Sequence, residues 1–192
     1  MRRWLGFFCV MIALLSGVAC AEEFALENGV SWAASPEKVA VLLPDDFERA
    51  DDSDPAIGAV TILRARQEEL FGFTVAQTDY FFFNDALCTV SLYCYEKAVP
   101  DAQGLIEAVS EIYGEPRMCA ENEFDLSSYL SNIRTWCKWN PDTNTQIQLK
   151  EPLYEYPYRY IISFTNLPAE QKFEDAMTTW YESAEAVPQE EE

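Results

Sequence analysis

The clearest alternation of apolar and polar positions runs from Thr74 to Tyr95. Thr74 to Phe83 is rich in aromatic and β-branched residues, Asn84-Asp85 is a turn pair, and Leu87 to Tyr95 follows. This predicts a hairpin of two antiparallel strands. On its second strand Cys88, Val90, Leu92 and Cys94 share one face, and Thr89, Ser91 and Tyr93 the other, as in a half-buried strand. Helical spacing recurs three times. Ser35-Pro36-Glu37 opens a short helix that Pro44 ends. Asp101 caps a second, with Leu105, Ile106, Val109, Ile112 and Tyr113 on its apolar stripe and Gly114 and Pro116 beyond its end. Pro168 and Ala169 open a third, predicted to reach about Tyr181.

Further strands are expected at Ala59 to Leu63, Arg134 to Trp139, Thr145 to Leu149 and Tyr158 to Thr165, with Pro141 to Asn144 as a second hairpin turn. Phe24 to Trp32 reads as an edge strand, residues 45 to 57 as a polar loop, and residues 117 to 132 as loop. The order is helix, three strands, helix, three strands, helix. The fold class expected is α+β: antiparallel sheet with helices packed on one face, as two αβββ units.

The N-terminus is set apart from this pattern. Arg2 and Arg3 precede an uncharged run from Leu5 to Leu15, which is shorter than the roughly 20 residues of a spanning helix. Ala19-Cys20-Ala21 then fits the small-x-small cleavage pattern. Residues 1–21 therefore read as a secretory signal peptide, and the chain as secreted, periplasmic or in the cell envelope. Cys20 keeps a second reading open, lipid anchoring at that cysteine. No transmembrane segment is expected after residue 21. Residues 22–183 form the α+β domain, with subunits at 22–98 and 99–183, and 184–192 an acidic disordered tail.

Export changes the cysteine arithmetic. Without Cys9 and Cys20, four remain: Cys88, Cys94, Cys119 and Cys137. An even number in an exported chain implies two disulfides. Cys88 and Cys94 lie about 20 Å apart along one strand, too far to bond each other. Each is expected to pair with Cys119 or Cys137.

Charge and composition then exclude chemistry. The chain carries 33 acidic and 13 basic residues, a net of −20, which becomes −22 without Arg2 and Arg3. Such a field repels nucleic acid. There is no histidine, so Ser-His-Asp catalysis and His-ligated zinc are excluded. No Walker or dinucleotide motif occurs, and no metal or cofactor is expected. Carboxylates alone leave two rivals open: a glycan-active enzyme using paired carboxylates, and a structural protein stabilised by Ca²⁺ at the acidic segment 45–54.

Two aromatic groups are candidate binding residues. Tyr154, Tyr156, Tyr158 and Tyr160 recur at period two, so a regular strand would put them on one face, with Pro157 marking an edge or bulge. They read either as a core-facing side or as a platform for a sugar, a peptide or a partner's surface. Trp136 and Trp139 are expected on opposite faces of their strand, one buried and the other free to join that platform.

Two stretches carry a resemblance. Asn28-Gly29-Val30-Ser31-Trp32 with Ser35 and Val39 resembles the opening of a group of uncharacterised secreted bacterial proteins, with Ala33 standing where their pattern has glycine. The second helix, followed by Gly114-Glu115-Pro116, is similar to small envelope domains of the SmpA/OmlA type. Those are related in shape to the tandem domains of β-lactamase inhibitor protein. The resemblance implies an α+β binding or scaffolding module, not an enzyme, whose partner is a protein or envelope component.

Overall fold

The computed structural model describes residues 24–95, 101–119, 133–152 and 158–185. The expected leader at residues 1–21, Tyr154, Tyr156 and residues 186–192 of the expected tail lie outside them; residues 184–185 of that tail belong to the last helix instead. Among the described residues no helix is long and apolar enough to cross a membrane.

One antiparallel sheet of eight strands dominates: β1 (Glu48–Asp54), β2 (Gly58–Leu70), β3 (Phe73–Phe83), β4 (Ala86–Cys94), β5 (Met118–Cys119), β6 (Ile133–Trp139), β7 (Thr145–Pro152) and β8 (Tyr160–Asn166). The spatial order is β1-β2-β3-β4-β8-β7-β6-β5. Two meanders thus meet at the central β4–β8 pair. Among the described residues three helices join them: α1 (Pro36–Ala40), α2 (Ala102–Tyr113) and α3 (Leu167–Glu185).

Local chemistry explains the best-formed elements. Asn84 and Asp85 take φ of 47° and 63°, the two left-handed residues a tight hairpin turn needs. Phe71 and Gly72 do the same at 57° and 76° between β2 and β3. Asp101 caps α2 by accepting the Gly104 N–H at 3.0 Å, and Gly114 ends it at φ 82°.

The inner face of the sheet is the main core. In register across six strands lie Leu63, Tyr80, Val90, Phe164, Ile147 and Trp139, all essentially buried. The next row holds Ala65, Thr78, Leu92, Ile162, Leu149 and Cys137. Leu105 and Val109 of α2 pack on this face, as do Leu26, Val30 and Val39 from the N-terminal segment. Trp32 donates its indole N–H to Thr145 at 2.8 Å, and Phe24 stacks on Trp32 and Tyr113.

Several expectations need correction. The helices are not all on one face: α3 lies on the outer side, where Ala169, Phe173 and Ala176 pack with Phe83, Cys88 and Phe81. Each meander has four strands, not three. Residues 48–54, expected as loop, form the exposed edge strand β1. It buries no side chain, so it leaves no hydrophobic signature. Phe24 to Trp32 is not an edge strand but a turn closed by one bridge, Ala25 to Ser31.

Two β-bulges reverse the expected facing. Phe81 pairs with Thr89 while Phe82 pairs with Leu87, so Cys88 is an extra residue on β4. Leu87 joins the main core, and Cys88 turns outward, away from Val90, Leu92 and Cys94. On β6, Thr135 pairs with Lys150 and Cys137 with Leu149, leaving Trp136 extra. Trp136 and Trp139 therefore both pack against the main core rather than on opposite faces.

The expected pairing of Cys88 and Cys94 with the later cysteines is also overturned. Cys119 bonds Cys137. They stand directly opposite on β5 and β6, with Cα atoms 4.2 Å apart. Cys94 lies three strands from Cys137 in the order β4-β8-β7-β6, about 14 Å at the usual strand spacing. Both Cys88 and Cys94 are free and buried.

Candidate functional site

The outer face of the sheet is where polar side chains gather. Helix α3 crosses one end of it and leaves the remainder without a covering element among the described residues. Strand register sets out rows of neighbours on this face. Beside α3 run Ile62, Phe81, Thr89, Thr165 and Gln146. The next row is Arg64, Asp79, Ser91, Ser163, Gln148 and Lys138. A third is Arg66, Gln77, Tyr93, Ile161 and Lys150. The central positions Ser91 and Ser163 are small, so the middle row sits low between bulkier neighbours: Ser91 lines a cleft and Ser163 is only 7% exposed.

Between α3 and this trough is a cleft of about 360 Å³. Ile62, Phe81 and Phe173 give it apolar walls; Thr89, Ser91 and Tyr93 give it hydroxyls; Asp79 and Glu170 give it carboxylates. Asp79 is held in place: Arg64 donates Nε to one oxygen at 2.8 Å and a terminal nitrogen to the other at 3.0 Å. Gln77 adds a bond at 3.0 Å. Burial raises the Glu170 carboxyl, with Glu174 adding to the shift and Lys150 opposing it. Burial lowers the Lys150 ammonium, which Glu170 attracts and Lys138 repels.

At the far side of the face Tyr93, Tyr158 and Tyr95 form an aromatic strip. The Tyr158 ring lies 5.1 Å from Tyr93 and 5.2 Å from Tyr95, and its hydroxyl donates to Gln77 at 3.1 Å. Tyr95 is 47% exposed.

The candidate residues therefore divide. Tyr158 belongs to this strip. Tyr160 does not: it is 2% exposed in the main core, because regular strand starts only at Tyr160 and the two-residue period breaks before it. Trp136 bonds Glu151 through its indole N–H at 3.0 Å, and Trp139 is buried. Tyr93 was visible on the polar side of the β4 alternation; Tyr95, one residue past the strand, was not singled out. Nothing in the spacing announced their meeting with Tyr158, which depends on β4 pairing with β8.

The cysteines are poor nucleophiles. Burial pushes the Cys88 thiol up to about 11 and the Cys94 thiol to about 12, so neither supplies thiolate at neutral pH. In β1, Asp51 spends its carboxylate on Arg49 and Thr61. Among the described residues no group of three or more Cys, Asp or Glu could hold a metal ion. Compared with family models, curated proteins and solved structures, the chain matches none.

Proposed function

We propose that this chain is an exported, non-catalytic binding module whose binding surface is the outer sheet face left open by α3. The observation carrying this reading is the row Arg64, Asp79, Ser91, Ser163, Gln148 and Lys138, a polar trough set across the middle of the sheet. A face with no function would be covered or studded with large solvated charges; here the central residues are small and their flanks are aromatic or charged. The leader-like N-terminus supports export, and a disulfide fits an oxidising compartment. The likeness to small envelope domains implies the same class of function.

A carboxylate-pair hydrolase is the rival, since Asp79 and Glu170 line one cleft. It is weakened by the commitment of both Asp79 oxygens to Arg64. A nucleophile or base needs a free oxygen aimed at substrate.

The test is capture from the native envelope or medium by the mature protein and by two variants. Gln148→Arg fills the trough, and Val41→Ser alters an exposed site away from it. A component retained by the parent and by Val41→Ser but lost with Gln148→Arg is the expected result. Equal retention by all three would move the binding surface elsewhere.

A further inference from the structure

The outer face holds two lysines that its acid-rich chain leaves unpaired. Arg49, Arg64, Arg66 and Arg159 each have a carboxylate partner within 4 Å. Lys138 and Lys150, both half-buried, have neither an ion pair nor a side-chain hydrogen bond among the described residues. What sets these two apart is that both stand on the sheet face, where Glu170 attracts Lys150 from beyond ion-pair distance. Lys138 stands opposite Gln148, two residues along β7 from Lys150, so the two Cα atoms are about 7–8 Å apart on one face. Their side chains are long enough to converge on a single anionic group. Holding them together without one has a cost, since each repels the other.

The rest of the face limits what carries that anion. A ligand lying over the middle of a sheet meets side chains only, because the backbone groups are spent on the ladder. Along the row from Lys138 these are the Gln148 amide and the Ser91 hydroxyl, with Ser163 between them only 7% exposed; the tyrosine strip starts in the adjacent row, at Tyr93 two residues along β4 from Ser91. Tyr93 is two strands from Lys150 through Ile161, about 10 Å, roughly the length of two linked sugar rings. Hydroxyls and amides for hydrogen bonds, and flat aromatic area for the ring's C–H face, are the chemistry of saccharide recognition. The chain's net negative charge does not forbid an anion here. Beyond about 8 Å at physiological ionic strength the distant carboxylates are screened.

Resting on the binding-module reading, we propose that the outer face takes a carboxylated glycan, one sugar lying on the tyrosine strip and a neighbouring carboxylate received by Lys138 and Lys150.

The test compares a short oligogalacturonate with its fully methyl-esterified form by calorimetry on the mature protein. The acid is expected to bind about tenfold more tightly. The double variant Lys138→Met/Lys150→Met should bring the two to equal affinity while keeping its melting temperature, because it removes desolvated, unpaired charge. Tyr95→Ala should weaken both sugars. Equal binding of acid and ester, or a preference that survives the lysine changes, overturns the lysine assignment and leaves the face intact. Binding of neither sugar overturns the ligand class. Glycan binding that ignores Tyr95→Ala and Gln148→Arg overturns the assignment of the face itself.

Discussion

Cys88 packs against Ala169 of α3, on the side of the sheet opposite to Leu92 and Cys94. One extra residue in β4 makes that contact. It lets Leu87 point into the main core while Cys88 and Thr89 both line the cleft. The bulge thus ties the core to the outer face and helps seat α3, whose Phe173 packs edge-on against Phe81 and Phe83.

Removing the extra residue should be tolerated almost as well as removing the thiol. Cys88→Ala keeps the residue count and is expected to cost little. Deleting Cys88 joins Leu87 to Thr89 in regular register, so Leu87 stays opposite Phe82 and still points into the core; only Cys88's place beneath α3 is lost. Urea titration of both variants should give similar midpoints. A much lower midpoint for the deletion would mean that the local twist of the bulge is needed to seat α3.

The Cys119–Cys137 disulfide makes a thiol count decisive. The unfolded, unreduced protein without residues 1–21 should titrate two thiols, Cys88 and Cys94, and the native protein should react only slowly because both are buried. Reduction opens a link between residues 18 apart, worth about 3 kcal/mol for a loop of this size. Finding no free thiol would mean that Cys88 and Cys94 are both oxidised as well.

Trp139 joins the sheet to α2. Its side chain is 1% exposed and its indole N–H reaches the Ser110 hydroxyl at 3.3 Å. Trp139→Ala should cost about 3–5 kcal/mol. Ser110→Ala, which leaves the indole N–H unpaired, should cost about 1–3 kcal/mol. If Ser110→Ala matches the parent in denaturant, the bond carries no net stability.

These features also mark where the chain could be read in advance. The hairpin at Asn84-Asp85 and helix α2, with Asp101 before it and Gly114 after it, rest on local backbone chemistry, and local residues announce them. Strand β1 was missed because an all-exposed edge has no alternation. The facing of Cys88 and Trp136 was misread because a bulge adds one residue without changing composition. The disulfide partner and the Tyr93–Tyr158 contact depend on the strand order β4-β8-β7-β6, which no local signal encodes. Pro168 and Ala169 announced the start of α3 but not which side of the sheet it would cover.

Glu68 offers a test of strain near the N-terminal turn. Gln67, at φ 56°, turns Glu68 so that the Tyr80 hydroxyl donates to its carboxylate, 3.3 Å from each oxygen. Asn28 donates to the same hydroxyl at 2.8 Å, and neighbouring Glu27 accepts the Phe71 N–H, docking the turn on the β2–β3 hairpin. Burial raises the Glu68 carboxyl above its ordinary value of 4.5, outweighing those hydrogen bonds. A raised carboxyl binds its proton more tightly when folded than when unfolded. Its contribution to stability is therefore present at low pH and is lost as pH rises from 4.5 through the folded value. Glu68→Gln keeps the hydrogen-bonding shape without the charge. It should raise the melting temperature at pH 7, leave it nearly unchanged at pH 4, and flatten the pH dependence between. Tyr80→Phe should lower it at both, because Asn28 and Glu68 lose their shared partner. A Glu68→Gln protein less stable than the parent at pH 7 would mean that the ionised carboxylate holds the turn in place.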